Sequence, residues 1–303
     1  MRFTDSDALA FLQSQLTHLT ARVFEKKFAA IIYPELMPVT NEASEFAESI
    51  TTHFLDGFTS GEFVGSGGDD IPFSRVAMDR DIIPVRYGGI GFEYSIDELR
   101  VSQALNRDLS ILSAERARRG FEEHAQRVAF FGNAAAGLEG LFNHTAVATG
   151  AASATLPTAL GTSGDAVAAI FNEAIDDIIE TTKEIEIPDT VLLPSASFNL
   201  LAANRLDTAG SPVTILQYLR TNNNATARTG QPLTIRPIAH LDAEDKMVVY
   251  SSSEEVMAYH IPMELRFLPP QPRNLMIRVP GEYKLAGLEL RFPGAVRYRT
   301  GVL

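Results

Sequence analysis

The chain has 303 residues, of which 45% are hydrophobic and 21% are charged, so it can bury a sizeable core in about two domains. Its net charge of -12 argues against binding to nucleic acid, because affinity for phosphate backbones comes from clustered Lys and Arg. The absence of Cys excludes disulfides, thiolate metal ligands and cysteine nucleophiles, and no apolar run in the sequence approaches the roughly 20 residues that span a bilayer.

The N-terminal segment predicts an amphipathic helix over residues 4–25. Its apolar stripe consists of Ala8, Leu12, Leu16, Leu19 and Val23. Two interpretations remain open, namely a terminal helix packed on its own domain and an arm that docks on a partner subunit. Pro34 and Pro38 then predict an extended connector.

The next segment predicts a long hairpin. Residues 43–58 are rich in Thr, Phe and Ile and predict a strand, residues 59–70 form a glycine-rich tip, and residues 71–94 predict the returning strand. A hairpin alone is marginal in water unless something covers it. Another subunit would provide that cover most economically.

A long helix is predicted over residues 95–133. Ser95 and Glu98 have the spacing of a capping box, and Gly132 with Asn133 marks the end. A continuous helix here would be on the order of 50 Å long. Asn106 and Ser113 are the places where the pattern is compatible with a bend or break.

The second half of the chain alternates predicted helices and strands. The Ala/Thr/Ser/Gly-rich residues 146–164 predict a linker and domain boundary, and Asp165 begins an amphipathic helix. A buried strand near residue 190 precedes a short helix capped at Ser195 or Ser197. Residues 221–232 predict a polar loop, and strands follow at residues 233–241 and 245–252 and in the tail from residue 269.

Motifs for catalysis, cofactors and metals are weak throughout. The six His, at positions 18, 53, 124, 144, 240 and 260, lack metal-ligand spacing, and Glu122 to His124 lacks the second His of a zinc helix. Ser163 lies in GTSGD, which lacks the order of a nucleophile elbow. The glycines at 65–68 precede no phosphate-loop Lys, and Asp69 and Asp70 are a candidate for a divalent cation but more typical of solvated acids. We therefore expect no catalytic, cofactor or metal site.

The order of these parts resembles the major capsid protein of tailed phages, a coat fold shared with encapsulins. The motifs that carry the resemblance are DDIP at residues 69–72, GGIGFEYSIDEL at 88–99, ERARRGFEEHAQRVAFFGN at 115–133, GLEGLFN at 137–143 and FPGAVRYRTGV at 292–302. They occur in the expected order across almost the whole chain, and they look similar to an uncharacterised-domain subgroup of phage coat proteins.

The resemblance implies an α+β fold with five parts. They are an N-terminal arm (1–43), an extended loop (44–94), a peripheral domain (95–189) with a spine helix (95–133), an axial domain (190–270) and C-terminal strands (271–303) that return to the peripheral domain. It also implies self-assembly into hexamers and pentamers of an icosahedral shell around double-stranded DNA, without sequence-specific binding. Head-to-tail contacts of this kind close into rings.

The resemblance implies further partners and a location. These are a portal, possibly a decoration protein, and a virion assembled from protein made in the bacterial cytoplasm, with no membrane contact. The segment before the fold is short, so we expect a separate scaffolding protein. Some relatives cross-link their shells through an extended-loop Lys, but this chain has no Lys between Lys27 and Lys183. We therefore expect a shell without covalent cross-links.

Three other hypotheses remain open from sequence. The first is an encapsulin-like nanocompartment shell that encloses an enzyme, and the second is a hydrolase using Ser163. The third is another virion protein such as a tail component. The negative net charge of the chain has two interpretations. It could give the shell a lining that does not retain DNA, or it could only increase the solubility of the protein.

Overall fold

The computed structural model describes residues 30–58, 75–104, 109–206 and 213–303. The predicted N-terminal helix, the glycine-rich tip of the hairpin and Asn106 lie outside the described residues. Ile32–Leu303 form one compact unit.

The described residues contain helices and strands in mixed order. The helices are α1 (Tyr33–Leu36), α2 (Ile96–Ala104), α3 (Leu109–Phe131), α4 (Leu156–Thr162), α5 (Gly164–Thr181), α6 (Ser195–Ala203), α7 (Ile215–Thr221) and α8 (Asn224–Thr229). The strands are β1 (Val39–Thr40), β2 (Ser49–Phe58), β3 (Arg75–Gly89), β4 (Phe92–Ser95), β5 (Ala148–Ala151), β6 (Thr190–Leu193), β7 (Thr234–Pro237), β8 (Lys246–Tyr250), β9 (Met257–His260), β10 (Met263–Phe267), β11 (Gln271–Arg273), β12 (Met276–Val279), β13 (Gly281–Ala286), β14 (Leu288–Leu290) and β15 (Val296–Thr300). The predicted α+β class is confirmed.

The largest sheet has the strand order β5, β15, β8, β6, β7 and contains both parallel and antiparallel pairs. Helix α5 packs its apolar face into the core of this sheet and its helices. The inward-facing residues that the sequence predicts are all buried, and they are Val167, Ile170, Phe171, Ala174, Ile178 and Ile179. The amphipathic pattern was therefore sufficient to place this helix.

The predicted hairpin is confirmed where it is described. Strands β2 and β3 pair antiparallel from Ser49 opposite Pro84 to Phe58 opposite Arg75. After Val85, β3 pairs on its other edge with β13. Within the described residues, the pairing of residues 75–84 is therefore with β2 alone. We call the ten-pair segment of residues 49–58 and 75–84 the ribbon, and at 3.3 Å per residue it is about 33 Å long.

The base of the ribbon is held by close packing on β13. A Cβ atom on Gly88 would lie 2.4 Å from the Tyr283 ring, so only glycine leaves room for this ring on the strand. The Tyr283 ring in turn packs on Phe121 of α3, with ring centroids 4.9 Å apart. The end of β3 that carries the ribbon is thus joined to α3 through the Tyr283 ring, which also contacts His124 of that helix at 5.9 Å.

The start and end of the long helix match the sequence. The Glu98 carboxylate accepts a hydrogen bond from the Ser95 amide at 2.8 Å, and the Ser95 hydroxyl accepts one from the Glu98 amide at 3.0 Å. These two bonds form the predicted capping box. Helix α3 ends at Phe131, and Gly132 follows with φ 63. Ser113 lies inside α3 and marks no break. Residues 105–108, which join α2 to α3, lie outside the description.

The GLEGLFN motif folds back on the end of α3. The amides of Leu141 and Phe142 donate to the carbonyls of Ala129 and Phe130 at 2.9 Å each. The approach is close because a Cβ on Gly140 would lie 2.4 Å from the Gly132 nitrogen. The motif therefore closes the carboxyl end of the long helix.

Several local predictions were wrong. The supposed linker at 146–164 contains β5 and α4, because Thr155 caps α4 and β5 pairs with β15. The supposed loop at 221–232 contains α8, which Asn223 caps, and the extended connector contains the single turn α1, where proline is tolerated at the first position. Residues 43–48 precede the strand.

The predicted caps of α6 were also wrong. Pro194 occupies the N-cap position, and the amide of Ser195 donates to the carboxylate of Asp242. The cap therefore comes from a residue distant in sequence, which local spacing does not reveal.

The variant Gly140→Ala tests the closure of the long helix. Its new methyl group meets backbone atoms of Gly132 and Phe130, so the free energy of unfolding should fall by about 1–3 kcal/mol in denaturant titration of the unassembled chain. The control is Gly161→Ala in α4, where no heavy atom lies within 4 Å of the added Cβ. Equal stability of the two variants would contradict the packing described.

Candidate assembly surface

The two faces of the ribbon differ. Alternation along the strands puts Asp81 on the same face as Thr52, its partner across the ladder, and puts Met78 and Ile82 on the opposite face. The side chain of Met78 is 68% exposed and that of Ile82 is 51% exposed. A solvent-exposed row of large apolar side chains on a two-stranded ribbon is typical of a protein-protein contact surface.

The ribbon borders a groove of about 1150 Å³, and residues of both its faces line this groove, Met78 and Ile82 among them. Residues of the ribbon form one wall, and the other wall comes from the segment after the long helix and from the residues at and after β14. The lining combines apolar side chains with carboxylates, and it includes Phe54, Asp79, Asp81, Glu139, Leu290 and Phe292. We refer to it as the ribbon groove.

Glu289 of β14 ties the ribbon to the body of the protein. This side chain is 1% exposed, and its Oε1 accepts a hydrogen bond from the Thr52 hydroxyl on β2. Its Oε2 accepts from Nε2 of His260 at 2.7 Å and from Nε of Arg291 at 3.1 Å. Burial by itself raises the pKa of Glu289, but these hydrogen bonds outweigh it and lower the pKa to about 2. Glu289 is therefore a buried carboxylate that stays ionised.

The Thr52, Glu289 and His260 cluster is a structural cluster. The Glu289 carboxylate contacts the Thr52 hydroxyl directly, but a carboxylate with a pKa of about 2 is a weak base for removing a proton from a hydroxyl. Nδ1 of His260 is buried and has no hydrogen-bond partner among the described atoms. The cluster therefore joins β2, β9 and β14.

His144 lies in the second wall of the ribbon groove. Its Nδ1 accepts from the Ala146 amide at 3.3 Å and lies 3.4 Å from Oε2 of Glu139. Burial lowers the pKa of His144 more than the charges of Glu139 and Asp81 raise it. The imidazole is thus neutral near pH 7 and adds no positive charge to the groove.

Ser163 is the N-cap of α5. Its hydroxyl accepts from the Ala166 amide at 3.1 Å, and in the described part of the chain no titratable side chain contacts it. The weak nucleophile motif is therefore explained as a helix start. Asp69, Asp70 and the glycines at 65–68 lie outside the described residues.

The histidines are dispersed through the structure. His53 is on the ribbon, His124 on α3, His240 against Phe130 and Phe131, and His260 beside Glu289, while His18 is not described. Across the described ranges, no three His, Cys, Asp or Glu residues are grouped so as to hold a metal ion. No helix of the described chain is long and apolar enough to cross a bilayer.

The sequence did not reveal the Glu289 cluster. Its members are distant in sequence, since Thr52 lies 237 residues from Glu289 and His260 lies 29 residues from it. The one local signal was an acid at the centre of the apolar strand LEL, which is unusual for a buried strand.

The fold of this chain is similar to that of solved phage capsid structures. The structure titled "The capsid of Myoviridae Phage XM1" has 22% identity and a TM-score of 0.81, over 95% of this chain and 98% of that chain. A structure from Gordonia phage Cozz has 12% identity and a TM-score of 0.62, over 98% and 95%. A virus-like particle from Pyrococcus furiosus has 13% identity and a TM-score of 0.53, over 88% and 91%.

These similarities define the fold as that of the phage capsid structures. The sequence model of the family described as Major capsid protein matches residues 60–302. The chain therefore belongs to the major capsid protein family, and it is a structural coat protein of the virion. No curated protein matches it in sequence.

The variant Glu289→Gln tests the buried cluster through its pH dependence. A carboxyl group whose pKa falls from 4.5 to about 2 on folding stabilises the folded chain above pH 4.5, and this stabilisation is lost as the pH falls to about 2. The free energy of unfolding of wild type should exceed that of the variant by up to about 3 kcal/mol at pH 7, and this difference should shrink towards pH 2. Denaturant titrations at several pH values measure it.

The control for this experiment is Glu180→Gln, at an exposed position on α5. The free energy of unfolding of this variant should stay close to that of wild type at every pH measured. A pH-independent difference between Glu289→Gln and wild type would show that Glu289 is not held ionised by the folded structure.

Proposed function

We propose that copies of this chain assemble head-to-tail into hexamers and pentamers of an icosahedral shell that encloses the double-stranded DNA of a tailed phage. The observation that carries the proposal is the ribbon, whose ten residue pairs lie beyond the ladder with β13 and which exposes Met78 and Ile82. Two strands bury too little surface to be stable alone, so the ribbon is stabilised by contact with neighbouring copies. Several such contacts per subunit make the assembly stable even when each is weak.

The domain assignment follows the same proposal. Residues 1–43 act as an arm, 44–94 as the extended loop, 95–189 as the peripheral domain and 190–270 as the axial domain, and 271–303 return to the peripheral domain. The axial domain lies at the five-fold and six-fold positions of the shell. Support comes from the pairing of the ribbon strands and from helices α2 and α3, which lie in the expected parts of the chain.

The proposed partners complete a phage head. They are a portal, a separate scaffolding protein and, in some shells, a decoration protein, and the chain is made in the cytoplasm of the bacterial host. The chain carries out no chemical reaction. Its charge of -12 supports contact with DNA that is weak and independent of sequence.

Electron microscopy of the purified protein, or of the virion that contains it, tests the proposal. We expect closed shells of uniform size that contain DNA. Shells filled with a cargo protein would favour a nanocompartment, and a small soluble oligomer as the only form in the virion lysate would contradict a shell altogether.

A denaturing gel tests the absence of cross-links. The described strands of the ribbon contain no Lys, and the whole chain has none between Lys27 and Lys183, so no ribbon amine is available for an isopeptide bond. Particles boiled in SDS should give a single band at the monomer mass of 33.1 kDa. A ladder of covalent oligomers would contradict the prediction.

A further inference from the structure

The ribbon groove carries an excess of negative charge. Three acidic residues, Asp79, Asp81 and Glu139, line it. The one Arg in the lining, Arg291, is already bound to Glu289 and to the carbonyl oxygen of Glu254. The groove therefore suits a cationic partner.

The groove also has an apolar floor. Phe54, Leu290 and Phe292 contribute to it, and Phe292 is 36% exposed to solvent. An apolar floor beside carboxylates suits a segment that presents one large apolar side chain and one cation close together.

The exposed apolar side chains of the body differ in their charged neighbours. Phe46, Leu275 and Ile185 are 89%, 75% and 72% exposed. Phe46 lies between Glu45 and Glu48, and Ile185 lies between Glu184 and Glu186, so both have acids beside them.

Leu275 has the opposite surroundings. It lies two residues after Arg273, in the turn between β11 and β12, and Arg273 has no ion pair among the described residues. The next charged residue along the chain, Arg278, is paired with Glu93 at 2.8 Å, so Arg273 is the cation that this turn offers to a partner. The acidic groove would attract Arg273, whereas the arginines beside the segments of Phe46 and Ile185 are already paired with acids.

The turn that carries Leu275 is well anchored. Arg273 pairs with Met276 across the β11–β12 ladder, and the Leu275 carbonyl accepts from the Ile96 amide at 3.0 Å. Asn274 has φ 56, a left-handed conformation that asparagine tolerates well. Arg273 and Leu275 are therefore presented on a fixed backbone, which lowers the entropy lost on docking.

We infer that the ribbon groove of one copy receives the Arg273–Leu275 turn of a second copy, with Leu275 on the apolar floor and Arg273 beside Asp79 and Asp81. The inference rests on the proposed function, because it concerns contacts within an assembly. The groove lining includes Met78 and Ile82, so the two exposed apolar side chains of the ribbon belong to the same surface.

The absence of cysteine in the chain allows a direct test by disulfide formation. Ala146 is an exposed residue of the groove wall, so the double variant Ala146→Cys, Leu275→Cys places one thiol on each surface. A disulfide forms only when the two Cα atoms come within about 7 Å. Oxidised multimers of this variant should give a ladder of covalent oligomers on a non-reducing gel, and reduction should remove it.

Three matched controls accompany the double variant. The single variants Ala146→Cys and Leu275→Cys, and the pair Ile185→Cys, Leu275→Cys, should give no ladder. Absence of a ladder from the Ala146 and Leu275 pair in intact multimers would overturn the docking while leaving the shell function standing. Failure of the wild-type chain to form multimers with its phage partners would instead contradict the proposed function.

Charge exchange provides a second readout. Arg273→Glu should lower the fraction of protein that sediments as multimers by about tenfold, because like charges then meet across the contact. Adding Asp81→Arg to this variant should restore most of the loss. If the two positions do not contact each other, the losses of assembly caused by the two charge reversals would add instead of cancelling. A double variant that assembles no better than Arg273→Glu would therefore overturn the inference.

Discussion

The ribbon imposes the main constraint on this protein. Ten residue pairs of β2 and β3 extend beyond the point where β13 stops supporting them, over about 33 Å. Isolated two-stranded structures of this kind are marginal in water. A stable chain with such a ribbon needs a rigid base within the same chain and further contacts from other copies. The rest of the structure supplies the rigid base.

The base of the ribbon is rigid because independent contacts meet there. The backbone of β3 continues into the ladder with β13, and Gly88 leaves room for Tyr283, which packs on the long helix. On the other strand, Thr52 donates to the buried carboxylate of Glu289. A carboxylate that accepts several hydrogen bonds has a strong directional preference, so it fixes the position of each donor. The ribbon therefore leaves the body at a defined angle, which repeated contacts between identical copies require.

Features set by local spacing were predictable from the sequence. The capping box of Ser95 and Glu98, the apolar face of α5 and the pairing of the two ribbon strands depend on residues close together in the chain, and all three were found. The contacts of Glu289 and the cap that Asp242 provides for α6 join residues distant in sequence, so no local pattern announces them. Short elements such as α4 and α8 were missed because their Ala, Thr and Asn content resembles a loop, whereas tertiary packing and caps stabilise them as helices.

Hydrogen–deuterium exchange tests the central claim most directly. Amide exchange in residues 49–58 and 75–84 is compared between assembled particles and unassembled subunits, with α5 as the internal reference because its apolar face is buried within one copy. If neighbouring copies stabilise the ribbon, its amides should exchange at least about tenfold more slowly in particles, while those of α5 change little. Equal and strong protection of the ribbon in free subunits would show that the chain covers it by itself, and would contradict the account.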